Sequence, residues 1–196
     1  MRPALPPVVR PAGAGAGVHA VVAAAATAEF QGLRVHAYPA YVALGSNLQD
    51  PAAQLHAAFD ELAQLADTRL VCRSALYGSR PMGPVQQPDF CNAVAGLLTA
   101  LDPAALLGAL RAIERRRGRE RGGERWGPRV IDLDLLMHGE RRSAGAGLTL
   151  PHPGIAQRNF VLLPWREFAP QVLVPGLGRV VELASRVPAD GLWKIA

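Results

Sequence analysis

The chain has 196 residues, 49% of them hydrophobic, with two cysteines and a net charge of +5. That length suits one well-buried domain; no run approaches the ~20 apolar residues of a transmembrane helix, and two cysteines build no disulfide framework. The charge is local: residues 111–129 hold eight arginines against Glu114, Glu120 and Glu124, a surplus equal to the whole net charge, which argues against a whole-face nucleic-acid binder and for a site that grips a small polyanion.

Residues 1–38 are rich in Pro, Ala and Gly and carry no acid before Glu29. Prolines and a weak, Ala-dominated apolar stretch make this a poor secretory signal. It is expected to be a disordered extension to a domain spanning 39–196. From Tyr38 the pattern becomes globular. "AYVALGSN" reads as a buried strand ending at Gly45; the turn Gly45-Ser46-Asn47 is a weak signal, more often structural, and no GxxxxGK[ST] phosphate loop occurs. "QDPAAQLHAAFDELAQL" follows as a helix with Asp50 as N-cap, Pro51 at its first position and Leu55, Ala58, Phe59, Leu62 and Leu65 on one face.

"LVCRSALY" is the second strand, the loop "GSRPMGPVQQPD" comes next, and "FCNAVAGLL" is the third strand. Cys72 and Cys91 both lie in apolar strand-like runs and read as packed thiols in a reducing compartment. Asn92 points to the face opposite Cys91, and Phe90 shares that face, an amide beside a ring suited to a flat heterocycle. A second helix, "PAALLGALRAIERRRG", repeats the device with Asp102 and Pro103 and turns Leu106, Leu107, Leu110 and Ile113 inward. Glu114 lies one residue past that stripe and can face the edge of a site.

The loop "RERGGERWGP" carries Arg119, Arg121 and Arg125, the glycine pair Gly122-Gly123 and Trp126, with Arg129 just beyond. By itself this could be a solvated basic turn; feeding a strand with two carboxylates, it could close over a polyphosphate. That strand is "RVIDLDLLMHG". Read with period 2, Asp132 and Asp134 share one face, about 6–7 Å apart, and Ile131, Leu133 and Leu135 take the other. Two acids in a buried strand need a positive partner, either a metal ion or the arginines upstream. Arginines bind phosphate and aspartates bind metal; together they describe a metal–triphosphate complex. Farther on, "LTLPHPGIAQRNFVLLPWREFAP" reads as a loop and a short helix in which His152 and Arg158 form a second polar cluster. The element order β-α-β-β-α-β is the ferredoxin-like α+β arrangement, an antiparallel sheet with both helices on one face, here with a C-terminal extension.

The blocks "YVALGSNLQDP", "RPMGPVQQPDFCNAV", "ERWGPRVIDLDLLMHG" and "LTLPHPGIAQRNFVLLP" resemble, in order and spacing, the 6-hydroxymethyl-7,8-dihydropterin pyrophosphokinases of folate biosynthesis, from about residue 40 to about residue 175. The resemblance implies a ferredoxin-like enzyme that moves the terminal diphosphate of ATP onto the hydroxymethyl group of a dihydropterin and releases AMP. It implies that Asp132 and Asp134 hold two Mg²⁺ ions. Arg119, Arg121 and Arg129 would contact phosphates, Arg119 and Arg129 as catalytic groups, with Trp126 in the closing loop. Glu114, His152 and Arg158 would hold nucleotide groups. Asn92, Phe90 and Phe160 would receive the pterin, with the backbone around Met82 and Gly83 closing the pocket and Gln87 in the same loop.

Three positions depart from the family pattern: Arg111 stands where a Gln is common, Phe90 where a Tyr is common, and Pro153 where an aromatic is frequent. The resemblance further implies ATP as co-substrate, small-molecule partners without nucleic acid or membrane, a monomer, and a cytoplasmic location. Two other readings stay open: a nucleic-acid module, and a metal-free relative in which the aspartates only form salt bridges with Arg125 and Arg129.

Overall fold

Each long helix begins where an aspartate precedes a proline. In the computed structural model, which describes residues 26–30, 32–82, 86–118, 127–145 and 147–195, Asp50 accepts from the Ala53 N–H at 3.1 Å ahead of helix α1 (Pro51–Ala63). Asp102 accepts from the Ala105 N–H at 2.8 Å ahead of α2 (Pro103–Arg116). Each carboxylate satisfies a first-turn N–H that lacks a helical partner, and proline at the first position has no N–H to leave orphaned.

The strands β1 (Ala26–Phe30), β2 (Leu33–Ser46), β3 (Thr68–Arg73), β4 (Tyr77–Ser79), β5 (Phe90–Thr99), β6 (Asp132–His138) and β11 (Leu192–Lys194) form one sheet. Its centre is β6-β2-β5-β3, every neighbour antiparallel, with α1 and α2 in the two crossovers. This is the expected ferredoxin-like order. Two small hairpins, β7 (Ser143–Gly145) with β8 (Leu148–Leu150) and β9 (Leu173–Val174) with β10 (Gly178–Arg179), belong to the C-terminal part together with α3 (Asn159–Phe168) and α4 (Val180–Ala184).

Two layers of apolar side chains sandwich the sheet. Leu55, Ala58, Phe59 and Leu62 of α1 and Leu106, Leu110 and Ile113 of α2 pack on Val42, Leu44, Cys91, Ala93, Leu133 and Leu135. On the opposite face Val161, Leu162, Trp165 and Phe168 of α3 cover Tyr41, Cys72, Val94, Leu136 and Met137. Each fully buried Leu or Phe in these layers contributes about 1.5–3 kcal/mol. Both cysteines are free and buried; burial pushes the Cys72 thiol up to about 12 and the Cys91 thiol up to about 11. They are packed core thiols at neutral pH.

Two expected boundaries shift. The segment read as a single second strand divides into β3 and β4, because the Ser74 hydroxyl accepts from the Val94 N–H at 3.0 Å and the ladder resumes only at Tyr77. The expected start of the domain at residue 39 falls inside β2, whose first residues pair with β1 from Ala26 opposite Ala37 to Phe30 opposite Leu33; residues 1–25 lie outside the described residues. Among the described residues no helix is long and apolar enough to cross a membrane.

Candidate active site

Period-2 geometry sorts β6 as the pattern predicts. Leu133 and Leu135 enter the layer under α1 and α2, while Asp132 and Asp134 face the other side and line a cavity with Ala43, Gly45, Asn92 and Phe90. In register, Asp132 lies opposite Gly45 of β2, and Gly45 lies opposite Asn92 of β5. A row of three positions thus crosses three strands. The middle one has no side chain, so the floor between carboxylate and amide is open: a Cβ on Gly45 would sit 3.5 Å from Asn92 Oδ1.

The cavity's remaining walls come from Ser79, Arg80 and Met82 after β4, from Arg129, and from Arg158, Phe160 and Val161 at the start of α3. It holds about 680 Å³ of space, including solvent at its mouth. Of the residues expected to receive the pterin, Met82, Phe90, Asn92 and Phe160 all meet here; Gly83 lies outside the described residues. The Asn92 amide is fixed by its donors, Nδ2 to Ser79 Oγ at 2.9 Å and to the Tyr77 carbonyl at 3.3 Å. Its carbonyl oxygen is left to face the cavity floor as an acceptor.

Each aspartate has a guanidinium beside it. Arg129 Nη1 donates to Asp132 Oδ2 at 2.5 Å, and Arg158 Nη1 donates to Asp134 Oδ2 at 3.0 Å. The upstream arginine therefore serves one acid as expected; the other acid is served from the segment after β8. His152 Nε2 stands 3.8 Å from Asp134 Oδ2, too long for a hydrogen bond. Its Nδ1 accepts from the Gly154 N–H at 3.0 Å, which puts the ring proton on Nε2, toward the carboxylate. Burial holds the His152 pKa below the ordinary imidazole value; Asp134 and Asp132 pull it back up and Arg158 adds to the lowering.

Glu114 is not among the described residues that line this cavity. It is buried, and its Oε1 accepts from the Leu133 N–H at 2.8 Å on the helix-covered side of β6. Arg119, Arg121 and Trp126 lie outside the described residues, as does Arg125. Arg111 reaches the Gly147 carbonyl at 3.2 Å.

Asn47 carries more than a strand-end turn would. Only 2% exposed, its Nδ2 donates to Gln87 Oε1 at 2.9 Å and to the Pro88 carbonyl at 3.0 Å. Its Oδ1 accepts from the Arg129 N–H at 2.8 Å. One amide thus ties the segment before Phe90 to the segment bearing Arg129. A single Gly-Ser-Asn after a strand carries no signal of this; the partners are about 40 and 82 residues away in sequence.

The donor set suits a hard cation. Among the described residues no group of three or more His, Cys, Asp or Glu converges, and at this site they offer two partly exposed carboxylates two residues apart and no thiolate. Mg²⁺ is typically held by one or two carboxylates together with waters and substrate phosphates, in contrast to the closed four-ligand sites of zinc.

Comparison with known proteins agrees with the earlier resemblance. Residues 41–170 match the family described as 7,8-dihydro-6-hydroxymethylpterin-pyrophosphokinase (HPPK). Over 156 residues the chain is 44% identical to the 2-amino-4-hydroxy-6-hydroxymethyldihydropteridine pyrophosphokinase of Haemophilus influenzae, covering 80% of this chain and 97% of that one. Over 155 residues it is 46% identical to the protein of the same name from Pseudomonas aeruginosa, covering 79% and 95%. A crystal structure of wild-type Plasmodium falciparum HPPK-DHPS superposes with a TM-score of 0.60 at 13% identity, covering 76% of this chain and 43% of that chain. This chain thus spans less than half the length of that protein, and at such identity the likeness is one of fold.

Proposed function

The chain belongs to the 7,8-dihydro-6-hydroxymethylpterin-pyrophosphokinase family, and we propose that, as a pyrophosphokinase of folate biosynthesis, it transfers the terminal diphosphate of ATP to 6-hydroxymethyl-7,8-dihydropterin. The hydroxymethyl oxygen forms a bond to the β-phosphorus, the bond from that phosphorus to the bridging α-oxygen breaks, AMP leaves, and the hydroxyl proton is lost. What supports this reading is one cavity lined both by two carboxylates and by an amide and two phenyl rings, Asp132 and Asp134 with Asn92, Phe90 and Phe160.

Asp132 and Asp134 would hold Mg²⁺, two ions on the family pattern. Bound there, the metal supplies charge neutralisation for the phosphates and for the attacking oxygen. The arginines would then change partners: carboxylates that pair with Arg129 and Arg158 would turn to the cation, and the guanidiniums to phosphate oxygens. Each of these four charges would keep a partner in both states, which keeps the reorganisation cost low. Arg119, Arg121 and Trp126 would complete the phosphate side from the loop ahead of Arg129, with Glu114 and His152 on the nucleotide side. Asn92 Oδ1 would accept from an N–H on the edge of the pterin, its orientation set in advance by Ser79 and the Tyr77 carbonyl. Phe90 and Phe160 would hold the ring faces.

The test is AMP release from ATP and Mg²⁺ with and without 6-hydroxymethyl-7,8-dihydropterin. AMP formed only when all three are present is the expected result. A folded protein that binds ATP yet forms no AMP would overturn the reading, and nucleotide binding indifferent to Mg²⁺ would favour a relative whose aspartates serve only as ion-pair partners of Arg129 and Arg158.

A further inference from the structure

Both walls of the cavity are tied to the same short piece of chain near the C-terminus. At one wall Asn159, between the cavity residues Arg158 and Phe160, donates from Nδ2 to the carbonyls of Pro188 at 2.9 Å and Asp190 at 3.1 Å. At the other wall the Arg80 N–H donates to the Gly191 carbonyl at 3.2 Å. There β11 pairs with β4, Leu192 opposite the cavity residue Ser79 and Trp193 opposite Gly78. The turn between the two attachments is made at Gly191, whose φ of +71° favours glycine.

The second attachment is shaped for its occupant. A Cβ on Gly78 would lie 2.1 Å from the indole of Trp193, so only glycine lets that ring lie flat on β4. Beyond it Lys194 Nζ donates to Glu167 Oε1 at 2.6 Å. The same carboxylate accepts from Tyr77 OH at 2.9 Å and from the Ala75 N–H at 2.9 Å, joining β11, β4 and α3.

We propose that residues 188–194 form a strap that sets the separation of the two cavity walls, with Asn159 as its positioning residue, and that the strap thereby governs affinity for the flat heterocyclic substrate more than for the phosphate-bearing one. The inference rests on the reading of this cavity as the pterin site. Phe160 follows Asn159 directly, and Ser79 fixes the Asn92 amide, so one wall carries a ring face and the other the group that orients the edge reader. Arg129, Asp132 and Asp134 are attached through β6 and Asn47 instead. Arg158, beside Asn159, stays held to Asp134 at 3.0 Å, so loosening the strap loosens the ring site before the phosphate site.

The experiment is steady-state kinetics and direct 6-hydroxymethyl-7,8-dihydropterin binding on the full chain, with Asn159→Ala beside the unaltered protein. Loss of two partly exposed hydrogen bonds is expected to raise KM and Kd for the pterin by about three- to tenfold, with kcat and the KM for ATP changed by less than about twofold. A residue that mattered only for folding would lower kcat through the active fraction and leave KM in place. If Asn159→Ala does not fold, Gly78→Ala displaces the strap from its other end and is expected to give the same split, relieved in Gly78→Ala/Trp193→Ala, where the clash is gone and the backbone pairing stays. Unchanged pterin KM and Kd in the folded variants would overturn the strap. Absence of pterin binding to the unaltered protein would instead overturn the functional reading beneath it.

Discussion

Asn47 and Arg129 hold each other through two hydrogen bonds, Oδ1 of Asn47 accepting from the Arg129 N–H at 2.8 Å and the Asn47 N–H donating to the Arg129 carbonyl at 3.1 Å. The arginine that pairs with Asp132 is thereby positioned by a buried amide that also anchors Gln87 and Pro88. Asn47→Ala removes the bonds to the Arg129 N–H and to the Gln87 and Pro88 oxygens, and is expected to cost about 1–3 kcal/mol of stability. It should also lower kcat by tenfold or so, the rate effect of about 1.4 kcal/mol lost from the transition state. Asn47→Asp keeps the acceptor for Arg129 but sets a buried carboxylate oxygen against the Gln87 and Pro88 oxygens. Thermal midpoints and kcat measured for both should separate the two roles, with Asp the milder in kcat though not in stability; equal loss of kcat would mean that the Gln87 side matters as much as the arginine.

Asp134→Ala should abolish turnover and spare the fold. The side chain is 34% exposed and its removal relieves repulsion with Asp132, so the unfolding midpoint should stay close to that of the unaltered protein. Turnover should fall by at least about 10²–10³, the scale on which a preorganised electrostatic group acts. AMP release and thermal unfolding on the same preparation check both halves, and a near-normal rate would sink the assignment of Asp134 as a metal ligand.

Gly45→Ala tests the open floor. Its backbone is not in the left-handed region, since Gly45 is absent from the positive-φ glycines, and a methyl would meet Asn92 Oδ1 at ordinary contact distance, 3.5 Å. Strand stability should hold or rise by about 0.5–1 kcal/mol. Pterin binding should weaken by about tenfold or more, as a methyl-sized intrusion into a fitted pocket does. Calorimetry of both unfolding and pterin binding reads the two effects in opposite directions.

Acid should loosen the C-terminal attachment first. Burial pushes the Glu167 carboxyl up, but the bonds from Lys194, the Ala75 N–H and Tyr77 outweigh it and hold its pKa below the usual glutamate value. A depressed folded-state pKa contributes stability that is present above the ordinary value of 4.5 and is lost as pH falls through the lower, folded value. The unfolding midpoint of Glu167→Gln should therefore lie below that of the unaltered protein at pH 7 and converge with it as pH falls beneath about 4.5. A gap that stays constant with pH would show that the carboxylate's charge is not what stabilises the contact.

Local chemistry made half of this architecture legible. The caps Asp50 and Asp102, each followed by proline, placed both helices, and period 2 put Asp132, Asp134 and Asn92 on the face away from the helix layer, because each signal is written within a few residues. What escaped depends on distant partners. Arg158 reaches Asp134 across 24 residues, and Asn47 reaches Arg129 across 82. The break at Ser74 arises because a hydroxyl replaces a ladder bond to Val94, and β11 is three residues long, too short to show a period. Glu114, at the edge of an apolar stripe, accepts from the Leu133 N–H of β6, a partner 19 residues away. β1 continues an alanine-rich run with no pattern of its own and becomes visible only through its pairing with β2.

The row Asp132, Gly45, Asn92 has a metric consequence. These positions sit on adjacent strands in direct register, so the backbones that carry the carboxylate and the amide lie two interstrand spacings apart, about 9–10 Å. Backbone hydrogen bonding sets that length, and loop sequence cannot stretch it. The protein carries a fixed ruler across its sheet. Any compound built to occupy the metal end and the ring end together must match it, and the loops around the cavity can vary freely without changing the length such a compound needs.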